Sequence, residues 1–436
     1  MNYLFKRKQL IRLGHAAFAG NGLSSSGDRN DLDLEYQGYT DPNHYSGSDV
    51  ERINQAIAEA KKHHGFVRIF PRRPDSVSNR NFWLLDSAIL VPGNTTLILE
   101  NCRLKLSDQS RDNFIRSANC VPGAEKLERI SHVHIIGRGS AILEGADHPR
   151  STGDGKKILG VNTYGTDAGK EGVSQYGDWR NIGILLAETD HFTLENLIIH
   201  DSHAWAISLE HCSNGRIRNI DFSSYGWKMI DGKKERILNQ DGLDLRTGCH
   251  DIIIENITGV VGDDLIAVTA LHERVRKTGI FPSSEFTGKN PVVHHNNIRN
   301  IIIRNVKGYS AGLCNIVRIL NTGEIGMDNI LLDGLLDTSP EDVRGPQAVK
   351  IGDSRYGKNE PGSLRGFIIR NLHTRTHRAV LINQSLRDSI ISGVISENPD
   401  REIIELVPPA DRKEQWLIFD SLLKTTSNNI QTERTL

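Results

Sequence analysis

Short segments recur along the chain in which β-branched residues or leucines alternate with polar ones, then an asparagine, then more apolar residues. Phe192-Thr-Leu-Glu-Asn196-Leu-Ile-Ile, Gly215-Arg-Ile-Arg-Asn219-Ile-Asp-Phe, Ile252-Ile-Ile-Glu-Asn256-Ile-Thr, Ile301-Ile-Ile-Arg-Asn305-Val and Phe367-Ile-Ile-Arg-Asn371-Leu share this pattern. The asparagines are 23, 37, 49 and 66 residues apart, and Ile330-Leu-Leu-Asp-Gly334 repeats the pattern without asparagine inside the last gap. Alternation predicts strands with one face buried. Strands at a unit of about 23 residues, separated by insertions of variable length, predict an all-β solenoid whose turns stack over one continuous core. A doubly wound α/β sheet would need a helix of about 10–15 residues between successive strands, and this spacing leaves no room for one.

The repeat carries two further expectations. Stacked asparagines can hydrogen-bond up a ladder at a turn. Cys212 and Cys249 each stand seven residues before a ladder asparagine, so they should stack inside neighbouring coils as packing groups. A solenoid also needs its ends covered. Ser48-Asp49-Val50-Glu51 is a Ser-x-x-Glu capping box, and Val50, Ile53, Ile57 and Ala60 follow at helical spacing until Gly65. This helix is expected to close the N-terminal end. After about Asp411 the chain is mixed and ends in a polar stretch. The expected organisation is therefore an export-like or disordered segment at 1–30, the solenoid with its cap over 31–424, and a loose polar tail at 425–436.

Composition excludes more than it identifies. The 53 Lys and Arg against 54 Asp and Glu leave a net charge of −1 over 436 residues. That supplies no general field for nucleic acid or anionic lipid, and neither is an expected partner. No window reaches the roughly 18 consecutive apolar residues of a membrane span. Five cysteines are too few and too scattered for a disulfide framework. Residues 5–20 begin with Lys6-Arg7-Lys8 and continue into small and apolar residues, which resembles a twin-arginine export signal with Lys8 in place of the second arginine. Export is accordingly an expectation.

Carboxylates gather in one pair of coils: Asn239-Gln240-Asp241-Gly242-Leu243-Asp244 and Gly262-Asp263-Asp264-Leu265. Asp241 and Asp263 are 22 residues apart, about one coil, and are expected on the same face. Carboxyls held that close repel, so at least one keeps its proton to higher pH and an acid can coexist with a base. Glycoside hydrolysis uses such a pair. The same residues suit a calcium site or plain Asp-Gly turns, and on residue types alone all three readings stand.

The run His200-Asp-Ser-His203-Ala-Trp205 through Cys212, with Asn239-Gln240-Asp241 and Gly262-Asp263-Asp264, resembles glycoside hydrolase family 28, the polygalacturonase family. Phe66-Val-Arg-Ile-Phe-Pro71 and Ile89-Leu-Val-Pro-Gly-Asn94 resemble the N-terminal part of pectin-degrading β-helix proteins. The resemblance implies a single-stranded right-handed parallel β-helix and inverting hydrolysis of a pectin-like polysaccharide or oligosaccharide. It implies Asp263 as general acid, with Asp241 and Asp264 positioning and deprotonating water. Asn239, His203, Trp205 and Arg318 are the implied substrate contacts, and neither a cofactor nor a metal is implied.

Two motifs of the family depart. Its Gly-His-Gly is absent after Asp264, where His272 and the pair His294-His295 stand in other contexts. Its Arg-Ile-Lys reads Arg318-Ile319-Leu320. In the family that basic pair holds a uronic carboxylate, and leucine cannot make such a bond, which opens the cleaved position to a neutral or differently decorated sugar. Trp205, Tyr225 and Trp227 flank the acidic coils and could pack on a sugar ring. Two competing readings are a calcium-dependent β-helix lyase and a β-helix that binds glycans without cutting them. The segments Gly145–Arg180 and Leu271–Asn297 are the expected walls that decide between endo and exo action.

Overall fold

The computed structural model describes residues 38–76, 78–110, 112–120, 127–149, 181–271, 296–410, 415–426 and 429–433. The export-like segment, His272, His294 and His295 lie outside the described residues.

Alternation becomes stacking. Long strands, among them Thr189–His200, Ser213–Ser223, His250–Val261, Ile298–Ser310, Met327–Asp337 and Leu364–Thr374, pair in parallel in one sheet. Shorter strands form a second parallel sheet, including Ile207–Glu210, Leu243–Leu245, Ile266–Ala270, Val317–Asn321 and Gln347–Ile351. The chain is a right-handed parallel β-helix. Each inward position becomes a column: Phe192 lies beside Gly215, then Ile252, Ile301, Ile330 and Phe367. Gly215 is required by its neighbour, because a Cβ there would stand 2.0 Å from Phe192 Cζ.

The asparagine column is a hydrogen-bonded ladder. Asn219 Nδ2 donates to Asn196 Oδ1 at 2.8 Å, Asn256 to Asn219 at 2.9 Å and Asn305 to Asn256 at 3.3 Å. Every member has left-handed backbone, φ between +55° and +59°, a conformation asparagine tolerates better than other side chains. Gly334 interrupts the ladder, and Asn371 donates to Asp333 instead. A second left-handed column through Asp251, Asn300 and Asn329 is also hydrogen-bonded. The repeat pattern does not show it, because its members change from Asn to Asp and His between coils. Cys212 and Cys249 are buried on adjacent coils, with thiols on the carbonyls of Leu186 and Leu209.

The capping helix runs Asp49–Lys61. Ser48 Oγ accepts from the Glu51 N–H, and Glu51 Oε2 accepts from the Ser48 N–H. Its Val50, Ile53, Ala56, Ile57 and Ala60 face the core. The other end differs from the loose tail expected at 425–436. Thr425 and Thr426 complete the strand Leu417–Thr426, and Asn429–Glu433 folds back antiparallel along it.

Candidate active site

The site forms where the second sheet begins. Extending the pairing of Leu243 with Ile266 and Ile266 with Val317 by two residues aligns Asp241, Asp264 and Asn315 on successive coils. Hydrogen bonds follow that alignment. The Asp264 N–H donates to Asp241 Oδ1 at 3.3 Å, the Asn315 N–H to Asp264 Oδ1 at 2.9 Å, and Gln347 Nε2 to Asn315 Oδ1 at 2.5 Å. The coil repeat here is 23 residues, so Asp264 rather than Asp263 sits on Asp241. Asp263 falls against Gln240, whose carbonyl accepts from the N–H groups of Gly262 and Asp263. All three acids are nevertheless brought together.

Their surroundings differ sharply. Asp264 is 1% exposed and has donors on both oxygens: Asn315 Nδ2 at 2.5 Å on Oδ1 and Arg318 Nη1 at 3.3 Å on Oδ2. Asp241 is 6% exposed. Its burial, followed by the charges of Asp263, Asp244 and Asp264, pushes its carboxyl well above the ordinary range despite Arg318. Asp263 is half-buried, and burial with the adjacent Asp264 raises it to about 6, opposed by the Cys314 thiol and Arg318. Asp244, in the strand Leu243–Leu245 that follows Asp241, is raised to about 8 by burial against the pull of Arg246, and its Oδ2 is buried without a hydrogen-bond partner. The cluster is therefore a store of unequally held protons.

Oxygens of Asp263 and Asp264 and the sulfur of Cys314 lie within 4.8 Å of one another. The trio is poorly suited to a cation as it stands, since Arg318 occupies Asp264 and burial with the neighbouring carboxylates holds the Cys314 thiol undissociated.

Arg318 also donates to Asp353 Oδ2 at 3.1 Å, with its guanidinium 4.9 Å from the Tyr356 ring centroid. Leu320, in the lysine position of the resembled motif, is buried against Leu271. A lysine stands beside the arginine all the same: Lys350 pairs with Arg318 on the next coil, and its Nζ donates to the same Asp353 oxygen at 2.6 Å. Against the upward push of burial, Arg355 and Lys350 hold Asp353 well below the carboxylate range. Lys350, Asp353, Cys314 and Asn315 were not legible beforehand, because insertions set their sequence offsets from the acids and from Arg318.

The remaining expected contacts divide. Trp205 occupies the rung before Asp241, half-buried, with the Arg246 guanidinium 4.9 Å from its ring centroid. Asn239 is half-buried in left-handed backbone, φ +54°. His203 differs from the expectation. It is 3% exposed and its Nε2 accepts from the Ala146 N–H at 2.9 Å, which makes it a brace for that turn instead of a surface for sugar.

No protein-family model matches the chain, and no curated protein matches it. Among solved structures it is similar to the exopolygalacturonase of Thermotoga maritima, at 14% identity over 97% of both chains with a TM-score of 0.50. It is also similar to the tailspike protein of E. coli bacteriophage HK620, solved in complex with a pentasaccharide, at 12% identity over 88% of this chain and 63% of the tailspike, TM-score 0.52. At these identities the likeness is one of fold.

Proposed function

We propose that this β-helix is a glycoside hydrolase that cuts a polysaccharide or oligosaccharide by acid–base catalysis. The carrying observation is that Asp241, Asp263 and Asp264 share one site in which Asp263 is the most open and is raised to about 6, while Asp264 is buried under donors on both oxygens. Asp263 protonates the leaving glycosidic oxygen. Asp264, held by Arg318 and Asn315, and Asp241 beneath it orient the attacking water. Asp241 holds its proton more tightly than an ordinary carboxyl, through burial and the charges of Asp263, Asp244 and Asp264.

Oxygens of Asp263 and Asp264 come within 4.8 Å, inside the roughly 6.5–9.5 Å usual between acid and base in inverting enzymes, so the anomeric configuration of the product is the decisive readout. Inversion itself is what the resemblance implies. Arg318 and Lys350, side by side on Asp353, suit a carboxylate on the sugar and restore the basic pair that Leu320 removed from the motif.

The test is product analysis on acidic and neutral polysaccharides with the parent protein and Asp263→Asn. The expected result is saturated reducing ends of inverted anomeric configuration by proton NMR, with activity at least about 100-fold lower in the variant. Since the acid must be protonated, activity should fall as pH rises through about 6. Unsaturated products would replace this reading with the lyase, and binding without products would replace it with a glycan-binding module.

A further inference from the structure

One antiparallel element interrupts the parallel stack. Trp227–Ile230 and Lys233–Arg236 form a hairpin between two coils, turning through Asp231 and Gly232 in left-handed backbone. It is held at several points. Gln240 Oε1 accepts from the Gly226 N–H while Gln240 Nε2 donates to the Ser202 carbonyl, Lys228 Nζ donates to the Ala146 carbonyl and pairs with Asp201, and Asp231 pairs with His148 at the tip.

These ties use Lys228 and the tip and leave the opposite face open. Tyr225, Trp227 and Met229, two residues apart, are 44%, 40% and 54% exposed. Their cross-strand neighbours on that face are Arg236 and Lys234, with Lys234 Nζ 4.1 Å from the indole centroid. The face carries two cations and no carboxylate. Three of the nine exposed large apolar residues among the described residues thus fall within five positions, which is a patch rather than scatter.

The patch adjoins the acid cluster. A Cβ on Gly262, the residue before Asp263, would stand 2.5 Å from Gly226 Cα, and one on Gly312 would stand 1.9 Å from the Gly262 carbonyl. Only glycines permit this approach. It sets the hairpin base against the acid, with Leu313, 51% exposed, following on the far side.

We propose that the open face of this hairpin is a binding platform for an acidic polysaccharide chain, in which Trp227 and Tyr225 pack on sugar rings while Lys234 and Arg236 meet their carboxylates. The inference rests on the glycoside-hydrolase reading for the direction of the chain, which runs from the platform past Asp263. Charge selects the occupant: Lys234 rests on the Trp227 ring with Arg236 beside it, and a neutral glycan would bring no carboxylate to either cation. A ribbon tied at Gly226, Lys228 and Asp231 has less freedom to lose on binding than an untied loop.

The test measures binding of the full chain carrying Asp263→Asn, which removes turnover, to polygalacturonate and alginate, with neutral galactan as control, by affinity electrophoresis at two salt concentrations. The expected result is retardation by an acidic polymer that weakens with salt, little by galactan, and affinity at least about tenfold weaker after Trp227→Ala and severalfold weaker after Lys234→Ala with Arg236→Ala. Unchanged thermal unfolding confirms that these exposed substitutions leave the fold intact. Equal affinity in parent and hairpin variants, no affinity for either acidic polymer, or a hairpin variant that only converts a dimer to a monomer would overturn the platform. Hydrolysis that persists unaltered in hairpin variants would leave the hydrolase reading standing without the platform. Hairpin-dependent binding by a protein that cuts nothing would leave the platform without the hydrolase.

Discussion

At the residue scale the site depends on how deeply each carboxyl is buried. Asp241, Asp244 and Asp263 are all raised, and burial is the first cause for each. A buried carboxyl that keeps its proton in the folded state, while the unfolded chain releases it near pH 4, lowers stability as pH rises between those two values. For Asp244 the window runs from about 4 up to about 8. Asp244→Asn, of nearly the same shape, should therefore raise Tm by an amount near zero at pH 4 that grows toward pH 8 and then levels. Thermal unfolding across that range measures it, and a gain independent of pH would contradict the proton assignment. The acids themselves were legible because their motifs are contiguous in the chain. Asp264's place on Asp241, one residue off the expected pairing, was not, since the length of a coil is set by its turns.

At the scale of the element, the strand alternation and the asparagine ladder carry the stack. Asn256 donates to Asn219 and accepts from Asn305 while holding φ +57°. Asn256→Ala loses both hydrogen bonds and places a Cβ residue without a compensating amide in left-handed backbone, for a combined loss of about 2–4 kcal/mol. Asn256→Gly removes the strain and keeps only the hydrogen-bond loss, so its destabilisation should be smaller. Urea unfolding of both variants separates the two contributions, and equal losses would mean that backbone strain is negligible there. The hairpin shows the opposite legibility. Trp227 and Tyr225 were visible as aromatics near the acids, yet their common exposed face follows from Lys228 and Asp231 being tied down on the other side.

At the scale of the whole molecule, a β-helix is stable only if its ends are closed; here a helix covers the N-terminal end, and an antiparallel strand pairs with 422–426 of the last long strand. The N-terminal helix buries Ile53 completely against the first coil. Ile53→Ala should lower stability by about 2–5 kcal/mol. Ile53→Asp should lift the cap and produce association that increases with protein concentration, which light scattering would detect; a folded, monomeric Ile53→Asp variant would show that the helix does not protect the edge. By itself the sequence determined the solenoid, its cap, its ladder and the identity of the acidic coils, because period-two alternation and capping are local properties that insertions do not disturb. Only the tertiary structure decided that Lys350 joins Arg318 across 32 residues, that Cys314 reaches Asp263 across 51, that His203 Nε2 accepts from the Ala146 N–H and that Asn429–Glu433 is a strand. Contacts between coils depend on the summed lengths of intervening loops, and proton affinities on the burial those contacts create, neither of which is written in any local run of residues.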